Sequence, residues 1–117
     1  MKIIPLSEGT FTVDKSKQFV PFDNGADNLK ERPAGSLLVE VQPFCVITAK
    51  DILLLDAGLG FEINGTLQLH QNLMDAGINP SEVTKVVMSH LHKDHSGGIG
   101  IESEGLGRRL SFPNATY

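Results

Sequence analysis

The segment Ser89–Gly98 reads SHLHKDHSGG and carries His90, His92 and His95, three of the four histidines in the chain, with Asp94 between the last two. Neutral imidazole and carboxylate are good ligands for borderline divalent metals such as zinc when several converge from a short, rigid scaffold. If an extended conformation continues past Met88, His90 and His92 at i and i+2 project to the same side and can grip one ion together. Lys93-Asp94-His95 then has to turn, which carries Asp94 and His95 toward a neighbouring position and makes two adjacent metals geometrically reasonable. Gly97 and Gly98 permit the close backbone approach and unusual dihedrals that such a turn needs. Lys93 is the odd member: an ammonium beside metal ligands repels the ion, so its side chain is expected to point to solvent. The remaining histidine, His70, has no ligand-type neighbour at its spacing and reads as a surface or satisfied core residue.

The elements that must position these groups follow from the hydrophobic pattern. Thr10–Val13 alternates, and Leu37–Val41, Phe44–Thr48 and Ile52–Leu55 are short apolar runs with turn residues between them, which predicts strands buried on at least one face. Residues 22–35, FDNGADNLKERPAG, lack periodicity and form a long loop, either a surface connection or a rim over a site. From Thr66 to Ala76 the apolar residues recur at helical spacing, with Thr66 as N-cap and Gly77 as the stop. Asn79-Pro80-Ser81-Glu82 reads as a cap and a short helical turn leading into a strand over Val83–Met88. Strand, helix, strand implies parallel neighbours, whose sites gather at the carboxyl edge of the sheet. Asp56 and His90 both fall at that edge.

Composition narrows the function further. A chain of 117 residues has the size of one domain or part of one. Ten basic against fourteen acidic side chains give a formal charge of −4, and no cluster of Lys and Arg exists to track a phosphate backbone, which argues against nucleic acid as a partner. Arg108-Arg109 is an isolated pair of the solvated kind. Cys45 is the single cysteine and lies in the apolar run FCVI, so no internal disulfide forms and a buried, inert thiol is expected. The opening MKIIPLSEG is too short for a signal-peptide core, and no aliphatic block approaches membrane-spanning length, so a cytoplasmic location with no membrane partner is expected.

SHLHKDHSGG, preceded by LLLDAGLG and a helix ending at Gly77, resembles the metallo-β-lactamase superfamily of metal-dependent hydrolases, whose signature is H-x-H-x-D-H. The resemblance runs in order along nearly the whole chain. It implies an α/β fold, with residues 1–117 forming the N-terminal half of an αββα sandwich, a mixed β-sheet with a helix packed on one face. By the same resemblance His90 and His92 hold a first metal, and Asp94 and His95 a second. Asp56 stands beside them as a carboxylate that accepts the free N–H of a ligand imidazole. Read from the residues alone, Asp56 is equally a turn-former before Gly58. The implied cofactor is a divalent metal, zinc first with iron or manganese as alternatives, two per complete domain. The implied reaction is attack of metal-activated water on an ester, lactone or thioester of a small-molecule substrate, with Asp94 the catalytic carboxylate that orients the nucleophile. His92 argues against the flavodiiron branch, which has glutamate there, and Leu91 with the wording SHLHxDHSGG is similar to the lactonase-like members.

The chain departs from this family in length. Family domains have two similar halves, and the second supplies a further histidine to each metal and a bridging aspartate. No histidine follows His95 here, and Glu102 and Glu104 are the only later acidic residues. The expectation is a truncated piece, inactive alone, whose apolar sheet face is covered by a second-half chain or another copy of itself. The alternatives are a non-catalytic half-domain that assembles with itself or a partner, and a mononuclear iron oxidoreductase-like relative.

Overall fold

Aliphatic and β-branched runs become strands wherever turn residues bound them. In chain order the strands, of which β10 and β11 are not such runs, are β1 (Lys2–Pro5), β2 (Gly9–Val13), β3 (Phe19–Pro21), β4 (Leu37–Val41), β5 (Phe44–Ile47), β6 (Ile52–Leu55), β7 (Glu62–Ile63), β8 (Thr66–Leu67), β9 (Lys85–Val87), β10 (Gly100–Ser103) and β11 (Gly107–Leu110). Helix α1 (Gln68–Asp75) precedes β9, and the short α2 (Lys93–Ser96) follows it. The computed structural model describes residues 1–103 and 107–117, so Glu104 lies outside the described residues.

The main sheet runs β1-β5-β6-β9. Its pairs are antiparallel except β6 with β9, the parallel neighbours expected of strand, helix, strand. A second sheet, β3-β2-β4, extends the same ladder around a bend. Lys2↔Ile47 to Pro5↔Phe44 continues into Gly9↔Val41 to Val13↔Leu37, but Leu6, Ser7 and Glu8 face only Gln42 and Pro43. The extra residue makes a β-bulge, closed by the Leu6 N–H to Pro43 O and the Glu8 N–H to Val41 O, both at 2.8 Å.

Helix α1 covers one face of the main sheet. The row Ile4, Cys45, Leu54, Val86 crosses the strands on that side, and Leu69 and Leu73 of α1 pack there with Leu6, Val83 and Phe112. The row of Pro5, Phe44, Leu55 and Val87 lies on the opposite face, joined by Ile3. It stays uncovered: Ile3 is 58%, Phe44 37%, Leu55 37% and Val87 48% exposed.

The expected N-cap at Thr66 is corrected. Asn64 and Gly65 both adopt positive φ, at 54° and 80°, a tight turn that folds Glu62–Ile63 back on Thr66–Leu67. Thr66 is thereby committed to pairing with Ile63, and α1 begins at Gln68 with Leu67 before it and no side-chain cap. The far end follows expectation. Gly77 has φ 83°, and its N–H and that of Ile78 return to Met74 O and Leu73 O, both at 2.9 Å, as a Schellman stop. Asn79 and Glu82 form a reciprocal capping box around Pro80. The loop over residues 22–35 contains one 3₁₀ turn, Leu29–Glu31. Strand β1, the short β3 and the β10–β11 pair were outside the sequence expectation, and Thr116 bridges Lys85 in parallel at the free edge of β9.

Candidate metal centre

The site is built where β6 and β9 end side by side. Asp56 follows β6 in the left-handed region at φ 64°, and its N–H still reaches Val87 O at 2.9 Å. Its carboxylate then gathers three donors: Ser89 N–H at 2.7 Å on Oδ1, and Ser89 Oγ at 2.7 Å and His95 Nδ1 at 2.8 Å on Oδ2. Burial by itself raises the Asp56 carboxyl, but the bonds from Ser89 and His95 outweigh it and hold the group below the ordinary carboxylate range. Asp56 is therefore both a turn residue and a partner of His95, so the alternatives open in the sequence coexist.

The capture of Ser89 changes how the histidines are delivered. Strand β9 ends at Val87, so the extended run expected past Met88 does not form, because Asp56 takes the Ser89 N–H away from the ladder. The rings still meet: centroids of His90 and His92 are 4.6 Å apart and those of His90 and His95 4.0 Å. Helix α2 starts immediately after His92 and sets Asp94 and His95 on one turn. Since Ser89 Oγ donates to Asp56, it accepts from His90 Nδ1 at 3.0 Å. The hydrogen-bond network thus places a proton on Nδ1 of both His90 and His95 and turns each Nε2 away from these partners. His95 Nε2 lies 3.3 Å from Asp94 Oδ2. An imidazole nitrogen and a carboxylate oxygen at that separation can share one cation. Among the described residues no three His, Cys, Asp or Glu side chains converge on one point, so the donors fit a metal by chemistry and in pairs, each pair short of further ligands.

Backbone contact locks the two loops together. The Ala57 N–H donates to His95 O at 2.7 Å. A Cβ on Gly97 would fall 1.9 Å from Leu59 O, one on Gly98 2.0 Å from Ala57 O, and one on Gly60 2.1 Å from Gly97 O. Only glycine permits this approach, which is the role expected of Gly97 and Gly98.

A cavity of about 830 Å³ opens beside the centre, walled by Phe11, Phe19, Phe22, Phe61 and Ile63, with Lys93 at its edge. Phe11 packs edge-on against Phe19 and Phe61 at centroid distances of 6.2 and 6.0 Å. Phe22 and Asp23, at the start of the long loop, line the cavity too. A smaller recess of about 110 Å³ touches Asp56, Asp94 and His95. Lys93 is exposed, as expected, yet it borders the aromatic cavity.

Two site residues had escaped sequence reasoning. Ser89 stands inside the segment of interest, and a hydroxyl just before the first imidazole was its only signal. Glu8 carried none: its carboxylate accepts from Leu59 N–H at 2.7 Å, it is 8% exposed, and burial pushes its pKa up to about 7. Away from the site, His70 is half-buried, bonded through Nε2 to Ser111 O at 2.8 Å and edge-on to Phe112. Burial lowers its pKa. Cys45 is fully buried, with its thiol pushed up by burial, and Arg108 and Arg109 are exposed.

A mixed sheet with one parallel step, with imidazoles and carboxylates gathered at its carboxyl edge, is an α/β scaffold. The chain belongs to the metallo-β-lactamase superfamily, whose profile matches residues 38–103. N-acyl homoserine lactonase AttM of Azorhizobium caulinodans is 49% identical over 41 residues, 35% of this chain and 12% of that protein. The solved structure of AidC, a dizinc quorum-quenching lactonase in complex with a product, aligns with a TM-score of 0.65 at 28% identity, over 97% of this chain and 39% of that one. Hydrolase AbOPH of the β-lactamase superfamily aligns with a TM-score of 0.66 at 26% identity over the same shares. A probable metal-dependent hydrolase from Staphylococcus aureus shares the fold, with a TM-score of 0.67 at 22% identity over 97% of this chain and 44% of that one. The chain thus spans 39% to 44% of the length of these solved structures. Among the described residues no helix is long and apolar enough to cross a membrane.

Proposed function

We propose that this chain is the metal-binding half of a hydrolase that cleaves an ester, lactone or thioester of a small molecule. The observation that supports it best is the facing pair His95 Nε2 and Asp94 Oδ2, 3.3 Å apart, with His95 held in the metal-ready tautomer by Asp56. His90 and His92 would hold one divalent ion, and Asp94 and His95 a second. Zinc suits this donor set, with iron or manganese as alternatives. When bound, the ions supply hydroxide near neutral pH and polarise the scissile carbonyl. Asp94, the catalytic carboxylate of this reading, orients the nucleophile. Asp56 and Ser89 keep His90 and His95 in the Nδ1–H form and fix the ring planes. The aromatic cavity beside the centre takes an apolar arm of the substrate, a reading that AidC and AttM, described as lactonases, favour.

Each metal needs donors beyond these four side chains, so activity requires further polypeptide and the chain alone is inactive. The uncovered row of Ile3, Phe44, Leu55 and Val87 is where a second sheet, from a second half or another copy, would pack. That same row supports a second reading, a non-catalytic module that assembles through this face. Turnover of lactones, thioesters and phosphodiesters by the complete protein, with and without chelator, tests the proposal. Chelator-sensitive hydrolysis is expected; stable folding in chelator with no turnover before or after favours the module.

A further inference from the structure

Glu8 takes no part in the proposed grip on metal, yet the fold goes to some length to place its carboxyl group. The bulge at Leu6–Glu8 turns this residue inward. From α1, Asn72 Nδ2 donates to Ser7 O at 2.9 Å and pins the bulge in place. The carboxyl then lies flat on Gly58: a Cβ built there would fall 2.0 Å from Oε1 and 2.8 Å from Oε2. Oε1 accepts the Leu59 N–H at 2.7 Å, while Oε2 is buried with no partner among the described residues.

Gly58 and Leu59 are the middle of the turn that carries the site. Three of its five residues, Asp56, Gly58 and Gly60, have positive φ at 64°, 70° and 85°. Asp56 is not glycine, and a left-handed conformation there persists only when its surroundings over-determine it. On one side of the turn stands Glu8. On the other, Ala57 N–H holds His95 O, and the Asp56 carboxylate holds Ser89 and His95. We propose that Glu8 is a positioning residue: its carboxyl group clamps the Asp56–Gly60 turn in the shape from which Asp56 and Ala57 reach Ser89 and His95. The link runs from the bulge through Leu59 and Gly58 to the imidazole. It does not rest on the hydrolase reading, because it concerns the metal-free protein.

Amide hydrogen exchange on the metal-free protein, compared for wild type, Glu8→Ala, Glu8→Gln and Glu8→Asp, tests it. In Glu8→Ala the amides of Leu59, Ala57 and Ser89 should all exchange faster, by roughly tenfold, the scale of one buried hydrogen bond lost with its partner left unsatisfied. Ile78, whose N–H is held by Leu73 O at the far end of α1, should keep its wild-type rate. Glu8→Gln, which retains an acceptor at the Oε1 position, should leave all four amides unchanged. Acceleration confined to Leu59 would overturn the proposal, because the contact would then be local. Equal acceleration at Ile78 would overturn it too, since Glu8 would merely contribute to global stability. Where Glu8→Ala does not fold, Glu8→Asp carries the test: its shorter side chain should speed Leu59, Ala57 and Ser89 together, and wild-type rates at Ala57 and Ser89 would refute the clamp.

Discussion

Replacing Glu8 with glutamine should change how the protein's stability depends on pH, in a direction and by an amount that the structure sets. The native carboxyl is pushed up from an ordinary 4.5 to about 7, chiefly by burial, with the Leu59 N–H acting in opposition. Between those values the folded protein keeps a proton that the unfolded chain releases, so this group's contribution to stability is complete below the lower value. It is lost as pH rises through the upper one. At about 1.4 kcal/mol per pH unit the full loss is about 3 kcal/mol, a large share of the roughly 5–15 kcal/mol that holds a domain together. Glutamine stays neutral and can accept from Leu59 N–H, so Glu8→Gln lacks this loss. Urea unfolding of both proteins from about pH 4 to about pH 8 provides the assay, because the difference between them cancels the titration of every other group. The stability of Glu8→Gln relative to wild type should climb by about 3 kcal/mol across that range and level off above it. A constant difference would refute the reasoning, since the buried group would then ionise as it does in water.

Gly97→Ala should destabilise the fold by roughly 3 kcal/mol or more, the severe end of overpacking, since its Cβ meets backbone at Leu59 O; Gly35→Ala, with nothing within 4 Å, should cost only the roughly 1–2 kcal/mol of its left-handed φ. Thermal or urea unfolding of the two variants separates them. Asp56→Asn removes a charged acceptor from His95 Nδ1 and should weaken zinc affinity of the complete protein by roughly 10–100-fold, read by competition with a chelating dye. Leu55→Lys, on the uncovered face, should change the stability of the isolated chain by about 0.5 kcal/mol or less and reduce its self-association in sedimentation velocity, whereas unchanged association would move the contact to another surface.

Strands β2, β4, β5, β6 and β9 and the parallel β6–β9 step were legible because their signals are local: dense aliphatic runs, a helical period, and Gly77 and Asn79 at the ends of elements. The start of α1 was misjudged because Asn64-Gly65 is a hairpin turn whose demand on Thr66 outranks a threonine's preference for capping. The gathering of His90, His92, Asp94 and His95 beyond the end of β9 was readable from residue type and spacing, but the delivery of the rings was not. That depends on Asp56 drawing Ser89 off the ladder across 33 positions of sequence. Glu8 was invisible for the same reason at longer range: its partner Leu59 is 51 residues away, and a single glutamate before a glycine has no pattern to announce it.

The central claim is that His90, His92, Asp94 and His95 grip divalent metal. Elemental analysis of the complete protein purified without chelator, alongside its His90→Ala and His95→Ala variants, addresses it directly. Bound zinc, iron or manganese in the wild type and a clear drop in both folded variants is the predicted result. Equal metal content in all three proteins would contradict the account.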